Sequence, residues 1–393
     1  MDLSVIIVTF NRPQRCFDVV KHTAKALAGR RAEILVVNNG TQPVDLPEYM
    51  EEIPCRILTA PRNLGAAAKN IAMAVASGIY LLVLDDDAYI ESDVIEPMIC
   101  LFQGDPTLGA VSFRIAGNTA EEACILPSVF HGCACAFRRD ILQAIGGYPA
   151  DFVYYGEEYD VAFRLYAAGY KTGLCDKYFG ARHVREQSGR NISRIIHYLV
   201  RNNLYLWFAY FPLYAIPGAV GDTLRYYRLV AQKEGAEKGF WQGCLSLFGS
   251  AARGLHKRKV LPPVIFGLAS LNSAVENACL QLKNKGVQQV IICGVGKIPS
   301  VWKKTIERHL IRIQEYWDFN PCWKNQSLLG KPVVYIENNA QIREKLNKNT
   351  AYLVGMSALS ETRNWSNLLQ INKLIDKSIF ITPPVCSCDV TAQ

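Results

Sequence analysis

The chain lacks several features that would sort it quickly. No basic n-region and no cleavage site accompany the apolar run at residues 3–10, so that run reads as a strand and not as a signal peptide. No complete G-x-G-x-x-G follows this first strand, and nicotinamide binding by the amino-terminal half is not expected. The 13 cysteines are odd in number and scattered, without extracellular spacing, which fits reduced thiols in a cytosol. Cys133-Ala134-Cys135, close to His131, lacks the second pair that a zinc site needs and reads as packing. No recognised nucleic-acid module accompanies the net charge of +8, so no nucleic-acid partner is expected; the charge suits anionic lipid or a phosphorylated donor and acceptor. With half its residues hydrophobic and a fifth charged, the chain has no signature of disorder, and 393 residues suffice for two or three domains with proper cores.

What is present starts with Asp85-Asp86-Asp87 at the end of the apolar run 79–84. Such a run ending in turn chemistry reads as a central strand of a parallel sheet, and ligands of those sheets bind beyond the carboxyl ends of the strands. Three adjacent carboxylates there repel one another unless a cation sits among them; Mg²⁺ or Mn²⁺ commonly bridges a carboxylate to a diphosphate. A solvated acidic turn or a helix cap is the alternative.

The preceding segments alternate. A strand at 3–10 ends in Asn11-Arg12-Pro13, where Asn11 or Arg12 can cap and Pro13 suits the first turn of a helix running to about Ala28. Strands at 33–37 and 55–58 follow, then a small-residue helix at 66–76 and the aspartate strand. This order predicts a doubly wound α/β domain. Each strand delivers polar side chains at its carboxyl end: Thr9 and Asn11, then Asn38, then Asn63, then the aspartates. Such groups can meet a base, a ribose and a diphosphate. Further on, Glu157, Glu158 and Asp160 put three acids into four residues, with Arg164 one helical turn beyond Asp160. They read either as an acidic first turn or as a carboxylate placed to take a proton from a nucleophilic hydroxyl.

In ordered blocks the chain resembles the family 2 glycosyltransferases of the GT-A fold, most like their bacterial rhamnosyltransferase and galactofuranosyltransferase branch. The blocks are Val8-Thr9-Phe10-Asn11-Arg12, Val36-Val37-Asn38-Asn39-Gly40, Asn63-Leu64-Gly65 with Lys69-Asn70, and Leu84-Asp85-Asp86-Asp87. They continue with Gly132 to Arg138-Arg139, Gly146-Gly147-Tyr148, Gly156-Glu157-Glu158-Tyr159-Asp160 with Arg164, and Ala168-Gly169-Tyr170, and end near His183. The resemblance implies an inverting transfer from a nucleoside diphosphate-sugar, UDP or dTDP favoured, to a hydroxyl of a bacterial surface-glycan or lipid-linked acceptor. It implies Glu158 as base, where most relatives have Asp, with Glu157 as the fallback. It implies Mn²⁺ or Mg²⁺ held by Asp85, Asp87 and His183. Donor binding would fall to Thr9, Asn11, Arg12, Asn38, Asn63, Lys69, Asp85 and Asp86. Relatives place Asp where this chain has Asn38.

From residue 191 the texture changes. The uncharged aromatic run 203–218 contains Pro212 and Pro217 and is read as lying at a membrane interface or as packed helix; 241–268 is a second interfacial candidate, with Arg253, His256, Lys257, Arg258 and Lys259. From about residue 286, strands at 290–293 and 311–313, a connection and strand at 330–335 and a strand at 351–355, with a turn at Gly294-Val295-Gly296, predict a small Rossmann-like unit whose fingerprint is incomplete. The expected organisation is therefore a GT-A domain at 1–190, a helical region at 191–284 and a Rossmann-like α/β domain at 285–393. The expected location is cytoplasmic, peripheral on the inner membrane surface; the sequence leaves homo-oligomerisation open. Two rival readings are a non-catalytic nucleotide-sugar-binding protein and a bifunctional enzyme whose carboxyl-terminal domain binds nicotinamide.

Overall fold

The computed structural model describes residues 1–116, 129–184, 191–295, 298–337, 350–355, 365, 369–370 and 378–381. They divide into two compact units, 1–116 with 129–184, and 191 onwards. Gly296, expected in a tight turn, lies outside the described residues.

The first unit is a mixed α/β structure built on one sheet of nine strands: β1 (Leu3–Thr9), β2 (Ala32–Asn38), β3 (Tyr49–Met50), β4 (Ile53–Thr59), β5 (Tyr80–Asp85), β6 (Ala88–Ile90), β7 (Leu108–Ala116), β8 (Ala134–Arg138) and β9 (Lys171–His183). They lie in the order β3-β4-β2-β1-β5-β8-β7-β9-β6. Strands β4, β2, β1 and β5 are parallel; the apolar runs of β2, β1 and β5 are buried as expected for strands covered on both faces, whereas β4 beyond Ile53 is half-buried or exposed. Helices α1 (Pro13–Ala26), α2 (Lys69–Val75), α3 (Ile95–Gly104), α4 (Arg139–Ala144) and α5 (Glu157–Ala167) complete the unit. The small-residue helix expected at 66–76 begins as a 3₁₀ turn, Gly65–Ala68, before α2. Gly65 adopts φ +60°, and a Cβ there would stand 1.7 Å from the Val153 carbonyl oxygen, so only glycine fits.

Two features of this topology position the site. Strand β1 lies between β2 and β5, so the chain leaves β1 to one side and later returns to the other; such a switch point opens a crevice at the carboxyl ends. There Thr9 is level with Asn38, and Val8 with Asp85. The antiparallel pairing of β6 with β9 then sets His183 opposite Ala88, directly after the aspartate turn.

The second unit contains α6 (Ile192–Tyr210), α7 (Ile216–Lys233), α8 (Glu237–Leu245), α9 (Leu247–His256), α10 (Pro263–Ala269), α11 (Asn272–Asn284) and α12 (Pro299–Arg308). Its sheet comprises β10 (Gln289–Cys293), β11 (Arg312–Asp318), β12 (Ser327–Leu328), β13 (Lys331–Tyr335), β14 (Thr350–Gly355) and β15 (Ser378–Ile381), in the order β12-β13-β11-β10-β14-β15. The last five of these are parallel neighbours in a doubly wound order. Helices and sheet share one packed body across the sequence boundary expected at 284/285: Asp222 accepts from the Ser300 backbone N–H (2.9 Å), and Trp302 Nε1 donates to the Ser270 carbonyl (3.0 Å).

The aromatic run 203–218 turns mostly inward. Leu204, Tyr205, Leu206, Trp207, Tyr210 and Phe211 are buried, and Trp207 Nε1 donates to Thr223 Oγ1 at 2.8 Å, whereas Leu213 and Tyr214 are exposed. A buried indole with its N–H satisfied belongs to a protein core. Among the described residues no helix is long and apolar enough to cross a membrane. Trp207→Ala is expected to lower stability by about 3–5 kcal/mol, measured by urea denaturation. An unchanged midpoint would mean that the indole packs against nothing.

Candidate active site

Each aspartate of the triplet takes a different partner. Asp85, at the end of β5, stands with its Oδ1 3.5 Å from Lys69 Nζ. Asp86 is 1% exposed; it accepts from Thr9 Oγ1 (2.6 Å) and Arg12 Nε (3.2 Å) and pairs with Arg12 Nη2. Asp87 meets Arg12 Nη1 (3.1 Å) through Oδ2 and His183 Nε2 (3.0 Å) through Oδ1, and its carbonyl accepts the Val184 N–H at 2.9 Å. Like charges forced into adjacent turn positions are thus divided among Lys69, Arg12 and His183. Arg12 occupies the N-cap position of α1 without capping it, because its guanidinium is committed to the aspartates.

The carboxyls respond differently. Burial is the largest influence on Asp86 and pushes it up to about 6 despite Arg12 and Thr9. Asp87 is also penalised by burial, but the hydrogen bond and charge of His183, together with Arg12, hold it below the usual range. Burial alone would lower Lys69, yet Asp85 and its acidic neighbours keep the ammonium above its ordinary value.

The base candidates stand at the start of α5. Tyr155 and Gly156 both adopt left-handed conformations, φ 67° and 89°, and turn the chain into the helix. Asp160 and Arg164 pair across one turn as expected (2.6 Å), and Arg164 also donates to the carbonyls of Ile145 and Gly147, which locks α5 to the Gly146-Gly147 turn. Glu158 lies against Gly132: a Cβ on that glycine would come within 2.2 Å of Glu158 Oε1. The Gly132 carbonyl accepts from Lys69 Nζ at 3.3 Å, so one lysine links the aspartate turn to the glutamates. Burial raises both glutamates above the usual range; the charge of Glu158 raises Glu157 further, while Lys69 opposes the shift in both. Glu157 Oε2 is buried without a hydrogen-bond partner among the described residues. A carboxyl in that setting is held protonated.

Three asparagines expected at the nucleotide are engaged with the chain itself. Asn11, at φ 55°, accepts the backbone N–H groups of Thr41 (2.8 Å) and Gln42 (3.1 Å). Asn38 accepts from the Gly40 N–H (3.1 Å) and donates to the Gln42 carbonyl (2.8 Å). Asn63 Oδ1 accepts from the Gly65 N–H (2.9 Å) and from Asn39 Nδ2 (3.0 Å). Asn39, which sequence reasoning passed over, also accepts the Leu64 N–H at 2.8 Å and so fastens the second loop to the first. Its only signal was its place in Asn38-Asn39-Gly40. Cys133 and Cys135 are buried packing residues, the Cys133 carbonyl accepting the Asp85 N–H at 2.9 Å, and the cysteines among the described residues are free thiols.

Asp87 Oδ1 and His183 Nε2 form a buried, hydrogen-bonded oxygen–nitrogen pair, donor types that divalent cations accept. Among the described residues no three His, Cys, Asp or Glu side chains are gathered for a metal; Asp85 stands at Lys69.

With this geometry in view, residues 4–139 match the family model described as Glycosyl transferase family 2. That segment carries β1 to β8 and the aspartate triplet, but not α5 or His183. An uncharacterized glycosyltransferase, YwdF of Bacillus subtilis (strain 168), is 29% identical over 187 residues, 43% of this chain and 68% of that protein. The chain is also similar to the crystal structure of S. aureus TarS 1–349, with TM-score 0.45 and 12% identity, covering 79% of this chain and 91% of the other. A second similar structure is the mannosyltransferase PcManGT from Pyrobaculum calidifontis in complex with GDP-Man and Mn²⁺, with TM-score 0.41 and 16% identity, covering 78% and 86%.

The raised Glu157 carboxyl fixes a pH dependence. The folded chain keeps a proton there that the unfolded chain releases at about 4.5. This contribution to stability is complete below that value and is lost as pH rises through the raised one. Glu157→Gln, neutral throughout, should lose less melting temperature than the parent between about pH 6 and about pH 9. Parallel curves for the two proteins would contradict a protonated Glu157.

Proposed function

We propose that the chain is a metal-dependent inverting glycosyltransferase, moving a sugar from a nucleoside diphosphate donor to a hydroxyl of a surface-glycan or lipid-linked acceptor. One observation carries the reading. The aspartate turn and the Glu157–Glu158 pair are joined through Lys69, which meets Asp85 and the carbonyl of Gly132 beside Glu158, at the switch point of a sheet whose sequence matches the family model.

Donor contacts fall to the members of the set that reach solvent. Arg12 and Asp85 keep 36% and 40% of their side chains exposed and are assigned to the donor, whereas Thr9 and Asp86 are sealed beneath them as supports. Asn11, Asn38 and Asn63 shape the loops that border the base, and uracil or thymine remains the favoured base. Lys69, fixed by Asp85 and Gly132, sets a positive charge at the floor of the crevice.

In the reaction the acceptor hydroxyl oxygen attacks the anomeric carbon of the donor as Glu158 takes its proton. The new carbon–oxygen bond forms while the bond to the diphosphate oxygen breaks, and that electron pair leaves with the nucleoside diphosphate. Direct displacement inverts the anomeric centre. The Glu158 carboxyl, raised by burial, stays basic enough to hold the proton it receives. A bound Mn²⁺ or Mg²⁺ held by Asp87 and His183 would supply charge neutralisation on the departing diphosphate. Arg12 adds a fixed cation on the same side. The same reading places the protein peripherally on the cytoplasmic face of a membrane, where such acceptors are carried.

Glu158→Gln should retain donor binding and lose turnover by roughly 10²–10⁴-fold. Gly132→Ala should push the same carboxylate aside and lower kcat without changing the melting temperature, because the clash falls on a flexible side-chain end. Normal turnover in both variants would end the base assignment. For the metal, the free Mn²⁺ signal in electron paramagnetic resonance should fall when the parent chain and UDP are added. With Asp87→Ala it should remain, and equal loss in both proteins would place the ion elsewhere.

A further inference from the structure

In the second unit, helices α8 and α9 pack in an inverted manner. Their small residues face inward: a Cβ on Gly239 would stand 1.9 Å from the Ser193 carbonyl oxygen, one on Gly243 2.6 Å from Val200 Cβ, and one on Gly254 2.8 Å from Phe208 Cβ. These contacts press both helices against α6 and fix which face looks outward. On that outer face stand Trp241 (57% exposed), Leu245 (83%), Phe248 (84%) and Leu255 (47%), with the exposed Ala252 completing steps of four, three, four and three residues. Ser246 joins the two helices in a helical conformation, so the spacing forms one continuous apolar stripe. Phe240 packs inward beside these glycines, yet four large apolar side chains are left directed into water, which marks a surface built to be covered.

The charge beside the stripe selects what covers it. Between Glu237 and Glu276 the chain has no Asp or Glu, while Lys238, Arg253, Lys257, Arg258 and Lys259 lie in that interval. Arg258 is bound to the Phe208 and Phe211 carbonyls; Lys238, Arg253, Lys257 and Lys259 are exposed, as is His256. A second copy laid on the stripe would bring these cations against their own kind, with Glu237 at the start of α8 the one acid between residues 235 and 275 to pair them. A bilayer of anionic phospholipid supplies both an apolar interior for Trp241, Leu245 and Phe248 and phosphates for the lysines. We propose that the outer face of α8 and α9, most of which lies in the interfacial candidate 241–268, docks on an anionic phospholipid surface, with the aromatic run of α6 acting as its internal support. The inference extends the membrane-facing reading given above. It is tested without donor or acceptor, so failure of docking and failure of glycosyl transfer are separately visible.

The test is flotation of the full chain with phosphatidylcholine vesicles made with and without phosphatidylglycerol, at low and high salt. The parent should float with the anionic vesicles, weakly with the neutral ones, and less as salt rises. Leu245→Ser with Phe248→Ser, and separately Lys257→Glu with Lys259→Glu, should each reduce the bound fraction roughly tenfold with unchanged melting temperature. Absence of flotation, or flotation of the variants like the parent, would overturn the proposal. So would a dimer in sedimentation that the double serine variant breaks while the parent ignores vesicles, because the stripe would then belong to a second copy.

Discussion

Placing three carboxylates side by side at the buried end of a parallel strand is the constraint on which the rest of the first unit depends. Asp86 and Asp87 are buried and need a cation or a hydrogen bond that water cannot provide there, while Asp85, partly exposed, stands at Lys69. The fold answers by drawing in four groups from three distant places: Thr9 and Arg12 from the end of β1, Lys69 from α2 and His183 from the end of β9. The strand order makes this convergence available, since β1 adjoins β5 and β6 pairs with β9. Because the compensating groups belong to other elements, the triplet also ties those elements together at one edge of the sheet. A buried charge network of this kind is costly to break, since removing one member strands the others.

The same compensation leaves a chemical asymmetry. On one side of the triplet Arg12 keeps part of its guanidinium exposed, a cation within reach of an anionic ligand. On the other, Glu157 and Glu158 share a buried helix start, where burial and mutual repulsion raise both carboxyls. Lys69, touching Asp85 and the Gly132 carbonyl, is the joint between the two halves. Under the proposed function, Lys69 would stand as a fixed cation between the group that binds charge and the group that accepts the proton.

Much of this was legible in the chain, because it rests on local pattern. Apolar runs closed by Asn and Asp gave the parallel strands and their carboxyl ends, and Asp160 with Arg164 announced a pair one helical turn apart. The long-range pairings were not legible. Nothing local to Arg12 says that its guanidinium faces Asp86 and Asp87, and nothing local to Gly132 says that Glu158 needs its missing Cβ. The asparagines show the same limit from another direction: as polar groups at strand ends Asn11 and Asn38 suit a ligand, yet both hold the 40–42 loop through backbone bonds that composition does not reveal. In the second unit, aromatic density at 203–218 suited either a membrane interface or a packed helix, and which of the two depends on the glycines of α8 and α9, which draw those helices onto α6, where much of the run is buried.

The central claim is that the crevice at the aspartate turn holds a nucleoside diphosphate together with a divalent ion. The most direct measurement is the melting temperature of the full chain against UDP, dTDP, GDP and CMP, each with and without Mn²⁺, since a ligand that binds only the folded state raises it by mass action. The account predicts a rise with one pyrimidine diphosphate that requires Mn²⁺. A rise that is indifferent to Mn²⁺, or none with any nucleotide, would contradict it.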